Sequence, residues 1–330
     1  MKKRILGRTG LEVTELSLGG LFVSSLGGPF EESKKAALRA LSYGINYIDT
    51  APGYFNSEEV LGKILKDVDR NYIISTKLGG RPKPFRPQDK GCLLESVEQS
   101  LKYLNTDYID ILMIHEPDRP AEYDWWTDPE EVDGPVMELL EELKRDGVIG
   151  YIGLGGTTAY EIVHQIKSGK FDVLITAFNY SMLWREAEID ILPAAKAHNM
   201  GVIIGSPLQQ GGLARRYDEY VNNPSKSRWL STPRREQYKK LYAFLDEAGL
   251  PVAEAGMRFV ISNPDISCVL TGARSGQEVD LNIAAVEKGP LPEDYLKEID
   301  TIAAMVPFRP YEEPFSLPFT APYKGPGGIS

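Results

Sequence analysis

Short apolar runs alternate along the chain with longer segments whose apolar residues recur at helical spacing. Glu15–Gly20, Tyr47–Ala51, Tyr72–Leu78, Tyr108–Ile114, Tyr151–Gly155, Val173–Phe178, Val202–Pro207 and Ser267–Thr271 read as strands. Tyr108–Ile114 is β-branched and apolar, the composition of a buried parallel strand. Ser33–Tyr43, Ser57–Leu65, Gly91–Leu104, Val136–Lys144, Ala159–Lys167, Ala187–Ala197, Gln237–Ala248 and Val252–Ile261 read as helices, and Gln277–Glu287 and Glu293–Met305 close the chain. In Gly91–Leu104 the stripe is Leu93, Leu94, Val97, Leu101 and Leu104. Ser57 opens its helix with Glu58 and Glu59 in the first turn, and Gly44 stops the one before it.

Strands separated by helices imply right-handed parallel crossovers. About eight such units without a break in composition predict an α/β chain folded as a single (β/α)8 barrel over residues 1–330. Three stretches interrupt the alternation. Arg81–Pro87 is basic and Pro-rich, Glu116–Asp133 is acidic with Tyr123, Trp125 and Trp126, and Pro207–Arg235 carries Gly211, Gly212, Arg215, Arg216 and Trp229. Each follows a strand, which places it at the C-terminal face, where barrel enzymes build their sites. The Pro-rich tail, 307–330, is not expected to be helical; it either crosses the barrel mouth or trails in solvent.

Composition narrows the function. The 37 Lys and Arg against 47 Asp and Glu give a net charge of -10, so nucleic acid is not an expected partner. The two cysteines, Cys92 and Cys268, are far apart and supply neither a disulfide framework nor a CxxC site. No apolar run approaches the roughly 20 residues that span a bilayer, and no apolar stretch follows the N-terminal charges. The expectation is a cytoplasmic protein with no membrane partner.

The polar residues at strand ends are few: Asp49 after the second strand, Lys77 in the third, His115 at the fourth, with Tyr54 just past Asp49. Singly, each is an ordinary structural or surface residue. Together, at one end of consecutive strands, they suit proton transfer to a carbonyl oxygen. A cation near a phenol lowers its pKa, Asp49 would fix Lys77, and His115 would orient the carbonyl. No side chain delivers a hydride, so a nicotinamide or flavin is required. The three histidines, His115, His164 and His198, are dispersed, and no metal site is expected. A Schiff-base role for Lys77 in an unrelated barrel is an alternative. The glycines of Gly150–Gly156 are spaced wrongly for a dinucleotide fingerprint and are expected to clear space at the barrel rim.

The order Asp-Thr-Ala-x-x-Tyr at Asp49–Tyr54, Ser-Thr-Lys ending at Lys77 and Met-Ile-His ending at His115 resembles the catalytic tetrad of the aldo-keto reductases, in their bacterial, sugar-dehydrogenase-like branch. Leu6–Thr14 resembles that superfamily's N-terminal hairpin, which plugs the barrel, and the similarity continues through Ser206–Leu208 and from Gly272 to Asn282. The resemblance implies an NAD(P)H-dependent oxidoreductase acting on an aldehyde or ketone, sugars included, with Tyr54 as general acid and Lys77, Asp49 and His115 beside it. It places the cofactor against Gly20, Leu21, Asp49, Asn179, Ser206, Pro207, Leu208, Gly212, Leu213, Gly272, Arg274, Glu278 and Asn282. Phe22, Tyr54, His115, Trp126 and Trp184 are the expected substrate contacts. A cofactor-binding regulatory barrel with slow turnover, like a potassium-channel β subunit, is the alternative.

Departures from the family pattern fall on the nicotinamide contacts. Gly155–Gly156 stand where a Ser-Asn pair is common, Ala177 where Gln is, and Gly205 where a stacking aromatic is; Asn179 is the expected substitute. At the adenosine end Glu278 would repel a 2′-phosphate, whereas Arg274 would clamp it. NADP is the expected cofactor, with NAD as the alternative.

Overall fold

The computed structural model describes residues 1–309. A two-stranded hairpin, β1 (Lys3–Ile5) and β2 (Glu12–Thr14), precedes eight parallel strands. These are β3 (Leu16–Gly19), β4 (Tyr47–Asp49), β5 (Ile73–Leu78), β6 (Ile109–His115), β7 (Ile149–Gly156), β8 (Val173–Ala177), β9 (Gly201–Gly205) and β10 (Cys268–Gly272). They pair in chain order, and β10 closes the ring between β9 and β3. The helices are α1 (Phe30–Ser42), α2 (Ser57–Leu65), α3 (Lys90–Leu104), α4 (Pro135–Arg145), α5 (Glu161–Lys167), α6 (Ile191–Ala197), α7 (Asp218–Asn222), α8 (Thr232–Glu247), α9 (Val252–Ser262), α10 (Gly276–Glu287) and α11 (Glu293–Ala303). The fold is a closed (β/α)8 barrel with its N-terminal hairpin.

Strand alternation sorts the apolar residues into two cores. Tyr47, Ile73, Ile111, Met113, Val173, Ile175, Ile203 and Cys268 point inward and fill the barrel. Ile48, Ile74, Leu112, Ile114, Leu174 and Ile204 point outward and pack under the helices. The hairpin adds Leu6 and Val13 to the inner set, sealing the barrel floor. Arg8 fastens it, with Nε 3.0 Å from Asp172 and a bond to the Phe171 carbonyl.

Local chemistry sets the helix ends. The Asp89 carboxylate accepts from the Gly91 and Cys92 amides at the start of α3, and Asn105 ends it in a left-handed conformation. Two expectations change. The helix expected from Gln237 begins at Thr232, because Ser231 caps it and Pro233 is tolerated in the first turn. The helix expected over Ala187–Ala197 is broken into a 3-10 turn, Glu186–Glu188, and α6, because Pro193 is accommodated only in a first turn. Pro207–Arg235 is likewise not all loop, since it contains α7 and the start of α8.

The glycines of β7 clear space for neighbouring side chains. A Cβ on Gly150 would lie 2.4 Å from the Tyr108 hydroxyl, one on Gly153 2.8 Å from Met113 Cγ, and one on Gly155 3.4 Å from Lys77 Cε. Most of the tail, from residue 310 on, lies outside the described residues. Its start is anchored: the Arg309 guanidinium lies 4.2 Å over the Trp184 ring and donates to the Phe178 carbonyl at 2.9 Å.

Candidate active site

Parallel register carries the polar strand ends to one mouth. Asp49 pairs with Ser75, Lys77 with Met113, and His115 with Gly155, so Asp49, Ser75 and Lys77 project into the same upper layer. Lys77 Nζ donates to Asp49 Oδ1 at 2.8 Å, to Asp49 Oδ2 at 2.7 Å and to the Thr50 carbonyl at 2.7 Å. Asp49 Oδ1 also accepts from Ser75 Oγ at 2.8 Å, which accepts from the Tyr47 hydroxyl at 2.8 Å. Asp49 and Lys77 are 1% and 2% exposed, so this is a buried ion pair with its lone pairs satisfied.

Tyr54 and His115 stand above that pair and are only half-buried. The Tyr54 ring lies 4.7 Å from Lys77 Nζ and meets the His115 ring edge-on at a 5.9 Å centroid distance. All four residues expected to share a site are therefore brought together.

The electrostatics depart from the sequence expectation at Tyr54. Burial raises its pKa, Lys77 lowers it, Asp49 raises it, and the net direction is upward from the ordinary value. The nearby ammonium offsets burial without overcoming it, so the expected lowering is not found. For Lys77, burial opposes the charge, but Asp49 and Tyr54 outweigh it and hold the pKa above its ordinary value. Burial, then the Lys77 and Arg119 charges, push His115 down to about 3, leaving a neutral imidazole at physiological pH. Burial carries the adjacent Glu116 up to about 7, against the pull of Arg119.

The residues expected at the cofactor end lie around the same mouth. Arg274 follows β10, with its guanidinium 4.4 Å over the Phe22 ring and no ion pair among the described residues. Ser275 caps α10 by accepting from the Glu278 amide at 3.2 Å, while the Glu278 carboxylate accepts from the Arg274 amide at 2.8 Å. Asn282 Nδ2 donates to Thr271 Oγ1 at 3.3 Å. Gly20 sits in the turn after β3, where a Cβ would lie 2.6 Å from the Asp49 carbonyl. Leu21, Ser206, Leu208 and Gly272 keep accessible surface, whereas Pro207 and Gly212 are buried. A guanidinium free of acid partners beside a capped helix N-terminus fits the phosphates of a dinucleotide.

Several expected contacts are placed elsewhere. Asn179 is 1% exposed, and its amide is committed to the Thr157 and Thr158 carbonyls and Thr176 Oγ1, at 3.2, 3.0 and 3.1 Å. It has no donor left for a nicotinamide carboxamide. Leu213 is fully buried in the outer core. Trp126 packs edge-on against Phe171, just before β8 and away from the mouth, because its indole belongs to the outer core. Trp184 is covered by Arg309. Phe22 stands beneath Arg274 and against Gly272 on the β10 side.

Sequence reasoning missed Tyr47 and Ser75, whose period-two spacing ahead of Asp49 and Lys77 was the available signal. Asp118 is buried, and its Oδ2 accepts from the Thr157 amide, the Thr158 amide and Thr158 Oγ1 at 2.9, 2.6 and 2.6 Å, tying the β6 loop to the β7 loop. Among the described residues no cluster of His, Cys, Asp or Glu could hold a metal, and no helix is long and apolar enough to cross a membrane.

The barrel and its hairpin agree with what comparison finds. The sequence pattern of the Aldo/keto reductase family matches residues 15–304. The chain belongs to the aldo/keto reductase family. L-galactose dehydrogenase of Arabidopsis thaliana is 28% identical, over 91% of this chain and 93% of its own length. An NADH-specific methylglyoxal reductase of Escherichia coli (strain K12) is 28% identical, over 87% of this chain and 94% of its own. A Schizosaccharomyces pombe protein named as a voltage-gated potassium channel subunit beta is 29% identical, over 93% and 94%. The holo form of an aldo-keto reductase from Bacillus halodurans matches with a TM-score of 0.76 and 29% identity, over 92% of this chain and 96% of that one.

Proposed function

We propose that this aldo/keto reductase is an NAD(P)H-dependent oxidoreductase that interconverts a small-molecule carbonyl and its alcohol, with Tyr54 as the proton donor. The observation that carries the reading is the stack of a buried Lys77–Asp49 pair under a half-buried Tyr54 and His115 at the barrel mouth. A bound nicotinamide supplies the hydride. Tyr54 stays a phenol through the neutral range, because its pKa is raised. An alkoxide is far more basic than a phenolate, so the proton moves downhill as charge develops on the carbonyl oxygen. The Lys77 charge, 4.7 Å from the ring, stabilises the phenolate left behind, and Asp49 keeps that charge in place. Neutral His115 offers a ring N–H to the same oxygen and fixes its position.

NADP is the cofactor this reading favours, held at its 2′-phosphate by Arg274; NAD is the alternative, favoured by the Glu278 carboxylate. The names of the dehydrogenase and reductase relatives support a small carbonyl compound, sugars included, as substrate. A cytoplasmic location accords with two free, buried cysteines.

The fungal relative supports a second reading, a cofactor-binding regulatory barrel with slow turnover. Fluorescence titration with NADPH and NADH, followed by a carbonyl panel weighted toward sugars, separates the two. Cofactor binding with steady turnover supports the enzyme; binding with slow turnover or none supports the regulatory barrel; no binding of either dinucleotide removes both.

A further inference from the structure

The proton-transfer chemistry leaves unused a groove of about 520 Å³ beside the Tyr54 loop. Its walls include Gly53 and Phe55 after β4, Arg81, Lys83 and Phe85 after β5, and Tyr123 after β6. It adjoins the candidate active site. A Cβ on Gly53 would lie 3.8 Å from His115 Cε1, and one on Gly79 would lie 3.4 Å from His115 Cβ and 3.6 Å from the Tyr123 ring. These two glycines therefore stand within van der Waals range of His115 at the edge of the groove.

Two independent features describe what the groove takes. Phe55, next to Tyr54, is 61% exposed and held at a φ of 52°, a conformation that a bulky side chain rarely adopts. A large apolar ring is thus kept at the rim at a backbone cost. Across from it, Phe85 and Tyr123 meet edge-on at 5.1 Å, each backed by Trp125 at 5.5 Å. The walls therefore present flat apolar faces.

The second feature is charge. Arg81 is paired with Glu58, and Arg86 with Asp89. The acids nearest the mouth, Glu116 and Glu122, face Arg119 at 3.9 and 3.5 Å. Lys83 alone of the cations on this loop is exposed without an ion pair among the described residues. An exposed ammonium without an ion pair, beside an aromatic slot, suits a compact anion on a flat body. A neutral sugar would leave the charge of the ammonium unmatched.

We propose that this groove binds the distal end of a carbonyl substrate built on a flat ring that carries an anionic group, with the ring between Phe55 and Tyr123 and the anion at Lys83. The inference rests on the reductase reading and names the substrate class of that site.

The test measures kcat/KM for benzaldehyde, 4-carboxybenzaldehyde and 4-formylphenyl phosphate with the full chain, Lys83→Ala, Lys83→Glu and Phe55→Ala. The wild type is expected to favour the carboxylate over benzaldehyde about fivefold, the size of one exposed ion pair. Lys83→Ala should bring that ratio to about one through KM, with kcat and the benzaldehyde constants unchanged, and Lys83→Glu should invert it. Phe55→Ala should raise KM for all three aldehydes. Comparing the carboxylate with the phosphate tells which anion fits. Equal constants for wild type and Lys83→Ala on both anionic aldehydes overturn the proposal. Calorimetric titration of 4-(hydroxymethyl)benzoate gives a readout without turnover. Binding about fivefold weaker in Lys83→Ala supports the groove, and equal affinity overturns it. If benzaldehyde is not reduced with either cofactor, the failure is that of the reductase reading, and the titration still decides the groove.

Discussion

The ammonium of Lys77 stands 4.7 Å from the centre of the Tyr54 ring while its hydrogens are directed at Asp49 and the Thr50 carbonyl. The cation favours the phenolate both by its charge and by a hydrogen bond with the Tyr54 side chain, and its own charge is secured from below. Burial sets the resting state of Tyr54 as a phenol, and Lys77 eases the loss of its proton. A proton donor for a strongly basic oxygen needs both properties.

If Tyr54 is the donor, Tyr54→Phe removes the proton and little else, since the ring still packs against His115. Carbonyl reduction should fall about 10³-fold, within the range for a positioned general acid. The dissociation constant for NADPH, read by fluorescence, should stay within about twofold. Wild-type turnover in this variant would take Tyr54 out of the mechanism.

The Lys77–Asp49 pair yields a thermodynamic cycle. Both side chains are almost completely buried, so Asp49→Asn leaves a charge without its counterion and should cost about 3 kcal/mol in denaturant unfolding. Lys77→Met should cost a similar amount by stranding the carboxylate. The double variant should recover most of that stability, while activity stays lost in all three. Additive losses in the double variant would mean that the two charges do not hold one another.

The pH dependence of stability follows from the same geometry. The folded pKa of Lys77 and that of Tyr54 are raised, so both groups bind protons more tightly when folded. Their contribution is present below their ordinary values and is lost as the pH rises through the folded ones. His115 has the opposite sign. Its folded pKa is depressed from 6.5 to about 3, so its contribution is present above 6.5 and is lost as the pH falls toward 3. Urea unfolding of His115→Asn should show a flatter slope than wild type across that acid interval and the same slope above it. Parallel profiles for the two proteins would show that His115 titrates normally.

What was legible in the chain follows from how each residue carries its information. The strands were readable because both of their faces are buried, which leaves apolar runs such as Ile111–Ile114. Asp49, Tyr54, Lys77 and His115 were readable because a barrel delivers strand ends to one mouth, so sequence order becomes spatial proximity. Asn179 was not, since only the fold reveals that its amide is spent on Thr157, Thr158 and Thr176. Trp126 misled for a related reason. An aromatic in a mouth loop can turn outward to the core, and loop sequence does not encode that turn. The sign at Tyr54 depended on a balance between burial and one charge, and spacing specifies neither magnitude.

The hairpin seal rests on one backbone position. Gly7 has a φ of 51°, and a Cβ there would lie 2.2 Å from the Gly201 amide and 2.3 Å from the Met200 carbonyl carbon. Those atoms are backbone and cannot swing aside. Gly7→Ala should cost roughly 3 kcal/mol, from the strained conformation and the overlap together. Gly10, also at positive φ but with nothing within 4 Å, is the control: Gly10→Ala should cost about 1 kcal/mol. Thermal unfolding of both variants checks the difference, and equal losses would show that the close approach at Gly7 is not what holds the plug.

On the proposed reading Arg274 and Glu278 pull cofactor choice in opposite directions, and the structure gives each a separate tie. The guanidinium rests on Phe22, whereas the carboxylate is held by the Arg274 amide. The cation is therefore not cancelled by its neighbour and remains available to a 2′-phosphate, which accepts charge-assisted hydrogen bonds that a ribose hydroxyl does not match. Arg274→Ala should weaken NADPH binding about tenfold and NADH binding less than twofold, because one charge-assisted bond is worth roughly 1.5 kcal/mol or more. Glu278→Gln should strengthen NADPH binding by a few fold by relieving repulsion with the phosphate, with NADH unchanged. Fluorescence titrations of both dinucleotides against both variants test this directly. Equal effects of Arg274→Ala on the two cofactors would remove the clamp and leave NAD as the better choice.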